Sequence, residues 1–183
     1  MRALVCIALC IVVAMAQNPV IGGDFTANIT VSVGPSLSYS GYIVSHVSGN
    51  RWYRWVKELN ESIYMFREDG TTVVYTYTID SSGCACSVAR SALIPNAFAG
   101  LATAVKSTKA CLNGTAGTLY ENNMLKKLPA VAKSNFCVSG TTPGYIQDND
   151  RLTAFSNFVA GIPKSFPTDP IAKIQDECNM RCI

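Results

Sequence analysis

The chain has 183 residues, a formal net charge of +3 and only 15% charged side chains against 49% hydrophobic ones. Lysine and arginine are scattered, with Lys126-Lys127 the only adjacent pair, so the basic stripe that nucleic acid requires is missing. A single domain of this length buries about 70% of its unfolded surface and can build a core without covalent help.

In chain order, a short positive start at Met1-Arg2 precedes the apolar run ALVCIALCIVVA and the small-residue stretch AMA. This order predicts a signal peptide over 1–16, cleaved after Ala16, because the run is shorter than the roughly 20 residues of a membrane span. Residues 17–183 then read as one exported domain with no transmembrane segment. Cys6 and Cys10 leave with the leader, and Cys84, Cys86, Cys111, Cys137, Cys178 and Cys182 remain. An even set in an exported chain predicts disulfides. Asn28-Ile-Thr, Asn60-Glu-Ser and Asn113-Gly-Thr are glycosylation sequons, and their asparagines are expected to face solvent.

The segment 29–80 reads as a meander of about four to five antiparallel strands. NITVSV opens it; SLSYSGYIVSHV and NRWYRWVKEL pair across Ser48-Gly49-Asn50. SIYMFRE and TTVVYTYTI flank Asp69-Gly70, a strong hairpin signal. Strand alternation puts Val73, Tyr75, Tyr77 and Ile79 on one face. It also separates Tyr53 and Trp55 from Trp52 and Arg54, so both faces carry rings. Next, IPNAFAGLATAVKS predicts a helix after Pro95, with Phe98, Leu101, Ala104 and Val105 on one side. GTLYENNMLKKLPAVAKSNFCVSG suggests a strand pair turning at Asn122-Asn123, and RLTAFSNFVAGI a late strand. Asp169-Pro170 predicts a short C-terminal helix carrying Ile171, Ile174 and Cys178. This order is α+β, a helix packed on a curved antiparallel sheet.

Cys84 and Cys86 sit two apart in extended backbone, share a face, and suit two separate bridges. Cys178 and Cys182 lie one helical turn apart and suit reception of two partners. One arrangement ties the tail to Cys84 or Cys86 and to Cys111 or Cys137; spacing does not choose the pairs.

Catalytic signatures are lacking. There is no G-x-S-x-G, H-E-x-x-H or S-x-x-K, and oxidised cysteines supply no thiolate. His46, the one histidine, is expected to be a structural strand residue. Glu68-Asp69 and Asp176-Glu177 read as solvated charge. The chain is therefore read as a non-enzyme. Tyrosine and tryptophan suit walls where apolar surface meets water. Tyr53, Trp55, Tyr64, Phe66, Val73, Tyr75, Tyr77 and Phe98 are accordingly expected to line a cavity for an apolar ligand such as a lipid, fatty acid or glycolipid. The alternative is a structural or adhesive matrix or wall glycoprotein with a filled core.

The order of features resembles the ependymin-related secreted glycoproteins. The likeness is carried by RWYRWVKEL, by SIYMFREDGTTVVYTYTID running into a cysteine, and by LIPNAF and CVSGTTPGY. It is strongest in FSNFVAGIPKSFPTDPIAKIQDEC. The amino-terminal cysteine typical of that family is absent after Ala16, and Cys84, Cys86 and Cys182 look like a rearranged framework. The resemblance implies a half-barrel or two stacked sheets around a deep hydrophobic cavity, amphiphile binding, dimerisation, and secretion or delivery to acidic (lysosomal) compartments. It also implies calcium association, which maps to no positions here; QDNDR at 147–151 reads as a plain turn.

Overall fold

The computed structural model describes residues 18–90, 93–94, 96–122, 134–162 and 178; the expected leader and, Cys178 apart, the expected C-terminal helix lie outside them. The strands are β1 Asp24–Val33, β2 Leu37–His46, β3 Arg51–Val56, β4 Glu61–Arg67, β5 Val73–Asp80, β6 Gly83–Arg90, β7 Val105–Lys106, β8 Thr118–Glu121, β9 Ser134–Ser139, β10 Thr142–Asp148 and β11 Arg151–Ala160. All belong to one antiparallel sheet ordered β6-β5-β4-β3-β2-β1-β11-β10-β9-β8-β7. Two meanders, β1–β6 and β7–β11, thus meet where β1 pairs with β11. The expected strands fall within this sheet, and β6, β7 and β10 are added to them.

Chain length dictates the curvature. Flat, an eleven-stranded sheet has its edges roughly 48 Å apart at about 4.8 Å per gap. The connection from Arg90 on one edge to Val105 on the other includes a 3-10 turn at Ala99–Thr103. At about 3.4 Å per extended residue and 2 Å per 3-10 residue, it reaches at most about 44 Å. It also packs on the middle of the sheet, where the Phe98 ring lies 5.5 Å from that of Phe25 and 5.4 Å from that of Phe155. The sheet must therefore curl around the connection, which makes the covered face a trough. The sheet stays open, with β6 and β7 as its edges.

The helix expected after Pro95 is a correction. Among the described residues the only helices are 3-10 turns, and their fold is one curved antiparallel β-sheet with no α-helix packed on it; the closing helix of the expected α+β order lies outside them. Phe98, Leu101 and Ala104 are buried as expected, but Val105 is 55% exposed and belongs to β7. The buried positions recur every third residue, the period of a 3-10 turn rather than of an α-helix. The turn starts where Asn96 Oδ1 accepts from Phe98 N at 3.0 Å. At its far end Asn18 Nδ2 donates to the carbonyls of Leu101 (3.0 Å) and Ala104 (2.5 Å), groups a helix end leaves orphaned.

One core fills the trough: Phe25, Ala27, Ile29 and Val31 of β1 with Ile43, Phe98, Leu101 and Phe136. Simple alternation would put Phe155 and Phe158 on opposite faces. Asn157 (φ 50°) is an extra residue that opens a bulge opposite Thr26–Asn28, so both rings reach Phe25, at 6.4 and 5.1 Å. On the other face Val44, Tyr53, Tyr64 and Cys178 form a second cluster, and Cys111, Leu119, Cys137 and Tyr145 a third. Cys84 pairs with Cys178 and Cys111 with Cys137; Cys86 is also disulfide-bonded. The tail thus reaches β6 through Cys84, whereas Cys111 and Cys137 take each other.

Gly41 stands between Ile29 and Val56 in the ladder. A Cβ there would lie 2.0 Å from the Trp55 carbonyl oxygen, so the β2–β3 backbones approach as only glycine permits. Gly41→Val is expected to cost about 2–3 kcal/mol, since overpacking here meets backbone that cannot yield. Phe98→Ala is expected to cost about 3–5 kcal/mol by opening the trough core. Thermal or denaturant unfolding of both variants, with disulfides intact, measures these losses; unchanged stability would contradict the packing described.

Candidate functional site

The rings of β2–β5 form a continuous array on the outer face. Register places Val44, Tyr53, Tyr64, Tyr77 and Cys86 opposite one another in one row, and Tyr42, Trp55, Ser62, Ile79 and Cys84 in the next. Phe66 stacks on Tyr75 at 5.0 Å, on Tyr64 at 5.8 Å and near Tyr77 at 6.1 Å. Tyr42 packs between Tyr53 and Trp55, at 5.5 and 5.6 Å. Tyr53 Oη and Ser62 Oγ share a hydrogen bond of 3.2 Å. Tyr64 is fully buried. Burial, with Tyr77 adding and Arg51 opposing, pushes its phenol up to about 12.

The trough face holds a different arrangement. Between the crossing connection and the sheet lies a cleft of about 220 Å³. Ile29, Val31, Ile43, Trp52, Ile146 and Phe155 supply apolar walls; Arg54, Arg151, Asp148 and Ser134 bring polar groups to the same space. Trp52 and Arg54 lie on the trough face because they alternate with Tyr53 and Trp55. The same rule, applied to Arg151-Leu-Thr-Ala-Phe155, aligns Arg151, Thr153 and Phe155 on β11. Arg54 Nη2 donates to Glu61 Oε1 at 2.7 Å, a diagonal neighbour on β4. Its Nε–H is buried and, among the described residues, has no acceptor. Asp148 accepts from the Ser134 hydroxyl. Burial, and then the positive charge of Arg54, hold the Arg151 guanidinium below its usual value, with Asp148 and Glu61 opposing.

None of the eight residues expected to line a cavity borders this cleft. Tyr53, Trp55, Tyr64, Phe66, Tyr75 and Tyr77 are together on the outer face, and Tyr64 and Phe66 border a separate hollow of about 250 Å³ with Arg51 and Arg67. Val73 is half-buried at the start of β5. Phe98 alone is on the trough side, its ring against Phe155. The signal for the missed residues was present as polarity. Arg54 interrupts the inward row Trp52-Arg54-Val56 of β3, and Arg151 opens the inward row Arg151-Thr153-Phe155 of β11, which a purely hydrophobic lining would not do.

His46 is part of a small polar cluster. Its Nδ1 is 3.5 Å from Asp24 Oδ1 and 3.4 Å from Ser48 Oγ, while Ser48 Oγ bonds Asp24 Oδ2 at 2.5 Å. Both contacts use one ring nitrogen, and Nε2 packs against Gly49. A nucleophile–histidine–carboxylate relay needs both nitrogens, so the cluster ties β1 to the β2–β3 turn instead. Burial works against the Asp24 carboxylate, but the Ser48 and His46 hydrogen bonds outweigh it and leave its value below the usual one.

Asn28, Asn60 and Asn113 are all exposed. QDNDR forms the β10–β11 hairpin turn, with Asn149 at φ 54°. Among the described residues no group of three His, Cys, Asp or Glu is placed to hold a metal ion, and no helix is long and apolar enough to cross a membrane. No protein-family model matches the sequence, and no curated protein is significantly similar to it.

Tyr64 gives a pH dependence. Its folded value lies above that of a free phenol, so its neutral form contributes stability in full below about pH 10. That stability is lost as pH rises toward about 12. Ultraviolet titration should show a late tyrosine step above pH 11 accompanied by loss of near-ultraviolet circular dichroism; full ionisation by pH 10.5 with the fold intact would contradict this burial.

Proposed function

We propose that this chain is a secreted, glycosylated, disulfide-bonded protein that binds an apolar ligand, and that the ligand lies in the trough between the crossing connection and the sheet. The observation that carries the reading is the cleft itself. It is bounded by Trp52, Phe155 and aliphatic side chains, with a few convergent polar groups, the usual make-up of a small-molecule site. The resemblance to ependymin-related glycoproteins supports the same reading, since it implies a strongly curved antiparallel sheet around a hydrophobic cavity. Exposed asparagines at all three sequons and the disulfide pairs are compatible with an exported protein.

A second reading rests on the outer face. There the rings stack on one another, as a structural or adhesive glycoprotein with a filled core would require. The two readings differ in what happens to a chain-shaped probe.

A fluorescent fatty-acid analogue is expected to bind the disulfide-intact protein saturably at micromolar concentration and to change Trp52 emission. Thr153→Trp, which places an indole in the cleft, should weaken binding at least tenfold while leaving circular dichroism unchanged. Absence of displaceable binding in the wild-type protein, together with no lipid extracted from protein purified from its own source, would remove the proposal in favour of the structural reading.

A further inference from the structure

We infer that the cleft selects a single-chain amphiphile with an anionic head, its oxygens held by Arg54 and Arg151; the inference rests on the apolar-ligand reading above. Four observations converge. First, about 220 Å³ lies below the roughly 300–1,000 Å³ of ordinary ligand pockets, so one alkyl chain fits and a pair does not. Second, Arg54 from β3 and Arg151 from β11, with two strands between them in the sheet order, border the same space because the sheet curves.

Third, each nearby carboxylate has a hydrogen-bond partner of its own, although Asp148 also borders the cleft and, with Glu61, favours the Arg151 charge. Glu61 takes Arg54 Nη2 at 2.7 Å, and Asp148 takes the Ser134 hydroxyl. Fourth, donors remain. Among the described residues Arg54 Nε–H is buried without an acceptor and Arg151 makes no ion pair. A buried, unsatisfied donor on a charged group is costly, and an oxyanion is the acceptor that relieves it best. Arg54 opposes the Arg151 charge while Asp148 and Glu61 favour it, and an anion held beside both guanidinium groups acts in the same direction as those carboxylates. A carboxylate and a phosphate monoester share the needed chemistry.

The test is competition of decanoate, decyl phosphate and decan-1-ol for the fluorescent probe, with full-length secreted protein at low and high salt. Both anions should displace it at least tenfold better than the alcohol, and decyltrimethylammonium should be weakest. If decanoate succeeds and decyl phosphate fails, the head is a carboxylate; the reverse result selects phosphate; either supports the inference. Arg151→Gln should shrink the decanoate-to-decanol ratio to threefold or less, and Arg151→Lys should recover part of it. If Arg151→Gln is not secreted folded, the wild-type salt series decides, since the ratio must fall with salt while decanol affinity holds. Decanol equal to decanoate in wild type, or a ratio untouched by Arg151→Gln or by salt, overturns the anionic head and leaves the apolar site standing. Failure of every decyl compound overturns both.

Discussion

The short link between Arg90 and Val105 constrains everything else. It must join the two edges of an eleven-stranded sheet and is too short to do so across a flat one. Phe98 then fastens the link to the middle of the sheet, against Phe25 and Phe155. Curvature is therefore imposed by connectivity and held by aromatic packing. Local concessions make it feasible: glycine at 41, where two backbones nearly touch, and the bulge at Asn157 that turns Phe158 inward.

The covalent bonds lie where this architecture is weakest. An open sheet has two edges, and unpaired edges invite association with other chains. Cys84, on edge strand β6, is bonded to Cys178, 94 positions away. In the chain-entropy account a closure of that length stabilises by on the order of 4 kcal/mol. Near the other edge, Cys111–Cys137 ties the loop before β8 to β9, and the Tyr145 hydroxyl accepts from Leu112 N at 2.8 Å beside it. The trough keeps its shape because both flanks are held from the outer side.

The two faces solve the burial problem differently. Outside, aromatic side chains from neighbouring strands satisfy one another by stacking, and Tyr53 finds Ser62 for its hydroxyl. Inside, Arg54 and Arg151 enter a space walled mainly by Ile, Val, Trp and Phe, with Ser134, Asp148 and Thr153 as the other polar groups. Charge in such surroundings is expensive unless matched, and the match through Glu61 is partial. That imbalance gives the cleft its chemical character.

The alternation of residues 71–79 and of RWYRWV, with Asp69-Gly70 between, determined the early meander and which side chains share a face, because a strand repeats every two residues and the hairpin turn is local. Exposure of the three sequon asparagines followed equally from local rules. Two things were decided only by the tertiary structure. Ala99–Thr103 form a 3-10 turn because Phe98, at its start, answers to Phe25 and Phe155, far away in sequence, rather than to a helix's own period. Arg54 and Arg151 lie nearly a hundred positions apart, and no local rule brings them together. Only the curling of the sheet around its short crossing link sets them in one cleft, which is why the rings of β3–β5 were legible as a group while the space opposite them was not.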